Sequence, residues 1–280
     1  MIIYKATYGN KDVTSVLNTL IKNNSLKIKV SNDLFGDTNP GVVKYLEIES
    51  DIGYRKIIEN SYLNLPETTN TKLGIFYTNN NVKNVVKESL KSLEKFSDVD
   101  ILTCVWESIP NNSFYEIQAL TKTSVHLNII IQILQLLYLA DQIGKYKYVS
   151  FLEHDVLYPD GYFNYPDFDD GVMTNMNYIG ICENGFQKKT ANHEPLHQMT
   201  MTFNQSVDHF ENLFKEAIKF GGVLLEPQKD RRKWECVNPS IHVNHGKHFT
   251  SHFSIYSKET YTIDPYWGNS SELVQRLFKT

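Results

Sequence analysis

The sequence predicts an α/β protein with a mixed, mostly parallel sheet flanked by helices, preceded by a small all-β, sandwich-like domain. Three observations support this prediction. Residues 1–66 contain short strand-like runs separated by turn-forming residues. From Lys72 onward, short apolar runs alternate with segments of helical periodicity. The longest apolar segment, Leu127–Ile143, is helix-like and precedes a strand-like run, Tyr148–Leu152. Strands that alternate with helices favour a parallel sheet.

Length and composition place the chain among globular proteins. It has 280 residues, 41% of them hydrophobic and 21% charged, which suffices for one large domain or two unequal ones. The net charge is −4, and the nearest approach to a basic run is Lys229–Lys233. Bulk attraction to nucleic acid is therefore not indicated.

The cysteines and the apolar segments indicate in which cellular compartment the protein is expected. The sequence contains three cysteines, whose spacing matches no zinc motif, and the first residues lack the apolar core of a signal peptide. Leu127–Ala140 is too short and too polar to span a bilayer. We therefore expect reduced thiols, no membrane span and a cytoplasmic location. No feature predicts the oligomeric state.

The first domain, which we assign to residues 1–68, has the pattern of a β-sandwich. Leu26, Ile28 and Val30 alternate with lysines, as in a half-buried strand. Ser31–Gly41 is dense in turn formers, and a helical turn is expected only within Asp12–Ile21. The strand-like runs are Ser25–Val30, Val42–Glu49 and Lys56–Ile58.

Two segments of this domain, YKATYGNKDVT and KIKVSNDLFGDTNPGVVKYLEIE, carry a resemblance. They resemble a small β domain found at the C-terminus of certain mitochondrial J-proteins, with similar copies in fungal and large-virus proteins. The resemblance covers residues 1–66 and implies a binding or accessory role. Together with a sequence rich in Lys, Asn, Ile and Tyr, it suggests a viral protein, in the host cytoplasm or the virion.

The second domain, residues 69–280, begins as strand, loop, helix and strand. A short polar turn follows the first apolar run, and valines and leucines then recur at helical spacing. In such a sheet, ligands bind at the carboxyl ends of the strands. The segments are Leu73–Tyr77, Val82–Phe96, Val99–Val105, Leu127–Ile143 and Tyr148–Leu152.

Two carboxylates arrive at the end of the run Tyr148–Leu152. Glu153, His154 and Asp155 follow it directly, and Pro159 lies a few residues on. Two carboxylates at a buried strand end are costly unless something neutralises them. A divalent cation such as Mn²⁺ or Mg²⁺ prefers carboxylate oxygens and keeps positions for substrate phosphates. The alternative is an ordinary solvated turn.

The Glu-His-Asp segment resembles the metal-binding DXD motif of GT-A-fold glycosyltransferases. The resemblance spans residues 72–265 and implies a GT-A-like, Rossmann-type sheet and hexosyl transfer from a nucleotide-diphosphate sugar, with a UDP-sugar favoured. It implies that Asp155 binds Mn²⁺ (or Mg²⁺), that Glu153 faces the ribose or metal-bound water, and that His154 belongs to the donor site.

Four of the nine histidines fall within Ile241–Phe253: His242, His245, His248 and His252. A single histidine is usually structural, but four this close favour a metal or phosphate site. Many GT-A enzymes supply a late histidine as a metal ligand. By that resemblance His245 is the first choice, because Gly246 beside it allows close backbone approach, and His248 is the second.

A Trp–acid pair precedes the late histidine in several inverting GT-A families, and Trp234-Glu235 stands in that order here. The resemblance implies that Glu235 is the catalytic base, with a pKa raised by burial, and that Trp234 stacks on the acceptor. Cys236 replaces the second acid of the usual motif. Glu194 is a rival base. The alternatives are that Glu235 is an ordinary surface residue, that Trp234 is a core residue, and that Glu194 lies in an exposed loop.

Fewer residues support the prediction of where the nucleotide of the donor binds. Tyr77, Thr78 and Asn79 end the first strand of the second domain, where GT-A proteins hold base and ribose. Lys122 precedes the long helix and is a candidate for the diphosphate, or is merely solvated. The absence of GxGxxG and GxxxxGK[ST] motifs counts against dinucleotide oxidoreductases and P-loop NTPases.

The sequence thus predicts a two-domain, metal-dependent glycosyltransferase that acts on an acceptor hydroxyl, with inversion expected if Glu235 is the base. The acceptor is undetermined among a glycan, a protein, a lipid and modified DNA. Two alternatives remain, a metal-dependent hydrolase of a phosphate or ester and a non-catalytic binding protein.

Overall fold

The structure is a computed structural model, and it forms two compact units. The first comprises Met1–Thr69 with Tyr138–Lys145, and the second comprises Asn70–Leu137 with Tyr146–Thr280. The predicted boundary between residues 68 and 69 lies outside the described residues and stays a prediction. The described residues are 1–22, 25–51, 53–65, 71–78, 83–109, 114–120, 126–190, 193–220, 223, 225–227, 230–244 and 256–278.

The first unit contains a four-stranded antiparallel sheet of order β2-β1-β4-β5 and a two-stranded sheet of β3 and β6. Its strands are β1 (Ile3–Tyr8), β2 (Lys11–Asp12), β3 (Leu26–Lys29), β4 (Tyr45–Ser50), β5 (Gly53–Ile58) and β6 (Tyr62–Leu65). Its helices are α1 (Thr14–Leu20) and α2 (Asn32–Phe35). The three strand-like runs of the sequence are therefore strands, and the expected helical turn is α1.

The helix α2 was not expected, because Ser31–Gly41 reads as turns. The Ser31 hydroxyl accepts a hydrogen bond from the Leu34 amide at 3.4 Å and caps the first turn. Gly36 has a φ of 83° and ends the helix. Phe35 is buried in the core of the unit. One helical turn thus forms where cap residues and a single buried aromatic side chain coincide.

The second unit is larger. Its strands are β7 (Lys72–Tyr77), β8 (Asp100–Val105), β9 (Tyr115–Gln118), β10 (Tyr148–Glu153), β11 (Val156–Leu157), β12 (Val172–Asn175), β13 (Tyr178–Cys182), β14 (Gly185–Lys189), β15 (Met199–Thr202), β16 (Arg231–Trp234), β17 (Ser240–Val243), β18 (Tyr256–Tyr261), β19 (Ile263–Asp264) and β20 (Gly268–Asn269). Its helices are α3 (Lys83–Leu93), α4 (His126–Ile143), α5 (Phe203–Phe220) and α6 (Ser270–Phe278), although the residues of α4 from Tyr138 onward are grouped with the first unit.

A seven-stranded mixed sheet of order β16-β12-β15-β10-β7-β8-β9 forms the centre of this unit. Every strand is parallel to the others except β15, which is antiparallel to both of its neighbours. The carboxyl ends of β7, β10, β12 and β16 therefore lie along one edge of the sheet, together with the amino end of β15. The predicted fold class, a large mixed sheet flanked by helices, is confirmed.

A second sheet, of order β11-β17-β13-β14-β18, adjoins that edge. The chain leaves β10 at Glu153 and enters β11 at Val156, which pairs with His242 of β17. Glu153, His154 and Asp155 therefore occupy the turn that joins the two sheets. Sequence patterns indicated the strand end, but the adjoining second sheet was not predicted.

Two further observations concern the cysteines and the helices. Cys104, Cys182 and Cys236 are free thiols, and burial raises the pKa of Cys104 to about 12. Among the described residues, none of the helices is both long and apolar enough to cross a membrane.

Candidate functional site

The candidate site is centred on the turn between β10 and β11. The side chains of Glu153, His154 and Asp155 each bring a potential ligand atom within 4.8 Å of the others. His154 is fully buried, while the two carboxylates are partly exposed. Two carboxylates and an imidazole at the end of a buried strand form a donor set that suits a divalent cation.

Neighbouring side chains hold the backbone of this turn in place. The buried Tyr158 hydroxyl accepts a hydrogen bond from the Glu153 amide at 2.7 Å. Ser89 of α3 donates its hydroxyl to the carbonyl of Val156 at 2.6 Å. The Val243 amide donates to the carbonyl of Asp155 at 2.8 Å. The turn is thus preorganised by groups from α3, from β17 and from Tyr158, which follows the turn in sequence. The carboxylates therefore need little reordering to bind a ligand.

Two histidines from other segments join the cluster. His197, in the 3₁₀ turn Leu196–Gln198, places Nδ1 2.9 Å from Oε2 of Glu153. The ring of His242 lies 3.8 Å from the His197 ring, centroid to centroid, and its Nε2 is 3.4 Å from His197 Nδ1. His242 Nδ1 in turn hydrogen-bonds with the Tyr256 hydroxyl. The site therefore extends from the turn to the 3₁₀ turn before β15 and to β17 of the second sheet.

Sequence reasoning missed both of these histidines as site residues. His197 lies in the segment that was singled out only for Glu194, and His242 was ranked below its neighbours in the histidine cluster. The sequence does carry a signal for His242, because it is a polar residue between the apolar Ile241 and Val243, and in β17 it is the one partly exposed position. No local pattern indicates His197, whose closeness to Glu153 results from the strand order.

The end of β7 lies beside the end of β10, with Tyr77 opposite Glu153 in register. Burial, and then the charge of Glu153, raises the pKa of the Tyr77 hydroxyl well above its ordinary value, so it stays protonated. Thr78 is buried, and its backbone amide and carbonyl both hydrogen-bond with the side chain of Gln132 on α4. The structure thus brings Tyr77 and Thr78 to the same edge as the carboxylates.

Four of the predicted site residues cannot be placed. Asn79 and Lys122, predicted at the nucleotide end, and His245 and His248, predicted as metal ligands, lie outside the described residues. Their roles stay predictions.

Glu194 forms two ion pairs. Its carboxylate oxygens lie 2.7 Å from Lys233 Nζ and 3.0 Å from a guanidinium nitrogen of Arg231. Hydrogen bonding from Lys233, and then from Arg231, lowers the pKa of Glu194 against the opposing effect of burial. Glu194 is therefore held as a carboxylate, and a lowered pKa makes it a weaker proton acceptor.

Trp234 and Glu235 lie at the carboxyl end of β16, on the same sheet edge as the cluster. Trp234 is partly buried, with its ring edge-on to that of Tyr165 at 6.1 Å between centroids. It is therefore in part a core residue. Glu235 is exposed, so the expectation that it is buried among apolar groups is wrong. The strand ends there, and its side chain projects beyond the packed region.

Comparisons with known proteins add two likenesses. No family model and no curated protein matches the chain. The solved structures to which the chain is similar include the following two. One is a glycosyltransferase involved in the glycosylation of the major capsid of PBCV-1, with 8% identity, a TM-score of 0.39, and coverage of 62% of this chain and 94% of that one. The other is an active-site mutant of LgtC, with 14% identity, a TM-score of 0.33, and coverage of 55% of this chain and 65% of that one.

Proposed function

We propose that the protein is a metal-dependent glycosyltransferase that moves a sugar from a nucleotide-diphosphate donor, UDP-sugar favoured, to an acceptor hydroxyl. One observation carries the proposal. Glu153, His154 and Asp155 lie within 4.8 Å of one another at the carboxyl end of β10. This is the sheet edge at which mixed α/β proteins bind their ligands, and the end of β7 lies next to it.

The residues present suit a divalent cation, Mn²⁺ or Mg²⁺. Asp155 and Glu153 supply the oxygen ligands, and His197 orients Glu153 through a 2.9 Å contact. A cation bound there supplies positive charge for the departing diphosphate. His245 and His248 remain proposed additional ligands.

The donor's nucleotide is proposed to lie along the end of β7. Tyr77 and Thr78 are buried at that edge, the backbone of Thr78 is held by Gln132, and the Tyr77 hydroxyl stays protonated. Asn79 would extend this contact to the ribose, and Lys122 would contact the diphosphate. His154, whose ring nitrogen lies within 4.8 Å of both carboxylate groups, is the third proposed member of the donor site.

The acceptor is proposed to enter at the end of β16. Glu235 is exposed there and is the proposed base, which gives inversion at the anomeric carbon, and the partly exposed Trp234 is proposed to stack on the acceptor. Glu194 is the less suitable base because Lys233 and Arg231 hold it as an ion-paired carboxylate. Its ion pairs instead tie β16 to the segment that precedes β15.

One observation favours a second candidate, a metal-dependent hydrolase of a phosphate or ester. His197 and His242 adjoin Glu153, and mixed carboxylate and imidazole ligands also occur in two-metal hydrolases. The stoichiometry separates the two candidates. A glycosyltransferase binds one divalent ion together with a nucleotide diphosphate, whereas a hydrolase of this type binds two ions.

Calorimetric titration of UDP in the presence and absence of Mn²⁺ tests the proposal. We expect Mn²⁺-dependent UDP binding with one ion per chain, lost in Asp155→Asn. Asp169→Asn, at a fully exposed carboxylate, is the matched control and should bind as the unaltered protein does. The proposal fails if Asp155→Asn keeps Mn²⁺-dependent UDP binding, or if UDP does not bind. Two ions per chain would favour the hydrolase.

The base assignment has a separate test. Glu235→Gln should retain Mn²⁺-dependent UDP binding and lose sugar transfer by about 100-fold or more, because a positioned base contributes about that factor. Glu194→Gln should retain most of the transfer rate. The reverse result would assign the base to Glu194.

A further inference from the structure

The four-stranded sheet of the first unit has one buried face and one exposed face. On β4, Leu46 and Ile48 point into the core, whereas Tyr45 and Glu49 are exposed. β5 continues the alternation, with Tyr54, Lys56 and Ile58 on the exposed side. Exposed faces of antiparallel sheets are usually polar. This one carries aromatic rings, which indicates an interaction surface.

Tyr45, at the start of β4, and Tyr54, on the edge strand β5, are two aromatic side chains of this face, and they are 43% and 54% exposed. Tyr45 lies opposite Ile58 and Tyr54 lies opposite Glu49. Positions 45 and 49 of β4 are four residue steps apart, a span of about 14 Å at the usual rise of a strand. Tyr4, which is 64% exposed, lies on the neighbouring strand β1. The tyrosines are therefore spread over the face rather than gathered in a single hydrophobic spot.

The ion pair of Lys56 and Glu47 lies between the two tyrosines. Lys56 Nζ lies 2.6 Å from a carboxylate oxygen of Glu47 and 4.8 Å from the centre of the Tyr45 ring. Hydrogen bonding from Lys56 lowers the pKa of Glu47, and a hydrogen bond from Tyr54 lowers it further. The four side chains thus contact one another in sequence from Tyr45 to Tyr54, so the surface is formed before any partner arrives.

The charges of this face cancel in pairs. Lys56 is paired with Glu47, and Lys5 lies opposite Glu49 in register. Such a face attracts neither a polyanion, such as nucleic acid, nor a cationic peptide. It presents flat aromatic surfaces with carboxylate and ammonium groups at their edges. An uncharged chain molecule with apolar faces and many hydroxyl groups is complementary to this arrangement.

We propose that the exposed face of the sheet β2-β1-β4-β5 binds an uncharged oligosaccharide. The C–H faces of sugar rings pack on Tyr45 and Tyr54, and sugar hydroxyls hydrogen-bond with Glu47, Lys56 and Glu49. The inference goes beyond the proposed function and does not depend on it, since binding at this face needs neither the carboxylate cluster nor a nucleotide.

The test is affinity electrophoresis of the full chain through gels containing an uncharged polysaccharide, with glucan, mannan, xylan and chitin derivatives as separate probes and heparin as the charged comparison. We expect at least one uncharged probe to retard the protein. Tyr45→Ala and Tyr54→Ala should each weaken the retardation by about tenfold, as truncation of a central aromatic contact does. Tyr54→Phe should keep most of it.

Two controls make the result specific. Tyr138→Ala removes a tyrosine that is 47% exposed but lies on α4, and should leave retardation unchanged. Asp155→Asn should also leave it unchanged, which separates this site from the proposed donor site. The inference is overturned if no uncharged probe retards the protein, if Tyr138→Ala is as harmful as Tyr45→Ala, or if only heparin is bound. Tyrosine-dependent self-association without glycan binding would show instead that the face is a protein–protein contact.

Discussion

Gln132, in the middle of the apolar helix α4, forms two hydrogen bonds with the backbone of one residue, Thr78. Its Oε1 accepts from the Thr78 amide at 3.0 Å, and its Nε2 donates to the Thr78 carbonyl at 2.6 Å. Both residues are buried. The pair fixes the chain where β7 ends, beside the carboxylates of β10. The polar Gln132 thus occurs in an apolar helix because it binds the backbone at the end of β7.

Gln132→Leu should destabilise the protein by about 1–3 kcal/mol, because it leaves the buried amide and carbonyl of Thr78 without these partners. It should also weaken UDP binding by loosening the end of β7. Urea denaturation measures the first effect and calorimetry the second. Gln135→Leu on the same helix is the control, since its hydrogen bonds are long, at 3.4 Å, and exposed. Equal losses of stability in both variants would contradict the assigned role of Gln132.

His197→Ala should weaken Mn²⁺ binding by about 10–100-fold, as removal of a group that orients a ligand does. The reason is the 2.9 Å contact of His197 Nδ1 with Glu153, which fixes that carboxylate. Mn²⁺ affinity is measured directly by calorimetry or electron paramagnetic resonance, without an activity assay. His209→Ala, at a histidine that contacts the Leu225 carbonyl, is the comparison and should leave the affinity unchanged. Unchanged Mn²⁺ affinity in His197→Ala would remove this residue from the site.

Glu194→Gln should lower stability at neutral pH and have little effect in acid. Hydrogen bonding from Lys233 and Arg231 lowers the pKa of Glu194 in the folded state, so its stabilisation is present above the unfolded pKa and is lost as the pH falls through the folded one. We expect a loss of about 1 kcal/mol at pH 7. Urea denaturation at pH 7 and pH 3 checks the difference. Asp170→Asn, in the exposed pair with Arg232, should cost less. A loss that is as large at pH 3 would contradict the ion-pair explanation.

Gly74→Ala should destabilise the central sheet by about 1–3 kcal/mol through overpacking. A Cβ at Gly74 would lie 2.7 Å from Cδ1 of Leu152 and 3.3 Å from Cγ1 of Ile101. Thermal denaturation measures the loss. Adding Leu152→Val should restore part of it, because the clashing methyl group is withdrawn. If the two changes are simply additive, the clash with Leu152 is not the cause.

Much of the fold was predictable because its signals are local. The segments 127–143 and 148–152 closely match α4 and β10, since an apolar helical stripe and a buried β-prone run depend only on near neighbours. The same holds for α3 and β8. The helix α2 was missed because one turn is too short to produce a period.

The site was predictable only in part. Glu153, His154 and Asp155 were found because a strand end with two carboxylates is visible in the sequence, and the structure brings them within 4.8 Å. The burial of Glu235 was predicted wrongly, because exposure at a strand end depends on what packs over it. The roles of Asn79, Lys122, His245 and His248 stay predictions.

The sequence by itself determined where strands end in polar groups, and therefore which edge of the sheet carries the chemistry. Only the tertiary structure decided which distant residues meet there. β15 enters antiparallel between β10 and β12, so the turn before it brings His197 to Glu153 across 44 positions of chain. Such contacts depend on strand order, which arises from the packing of the whole unit and leaves no local pattern.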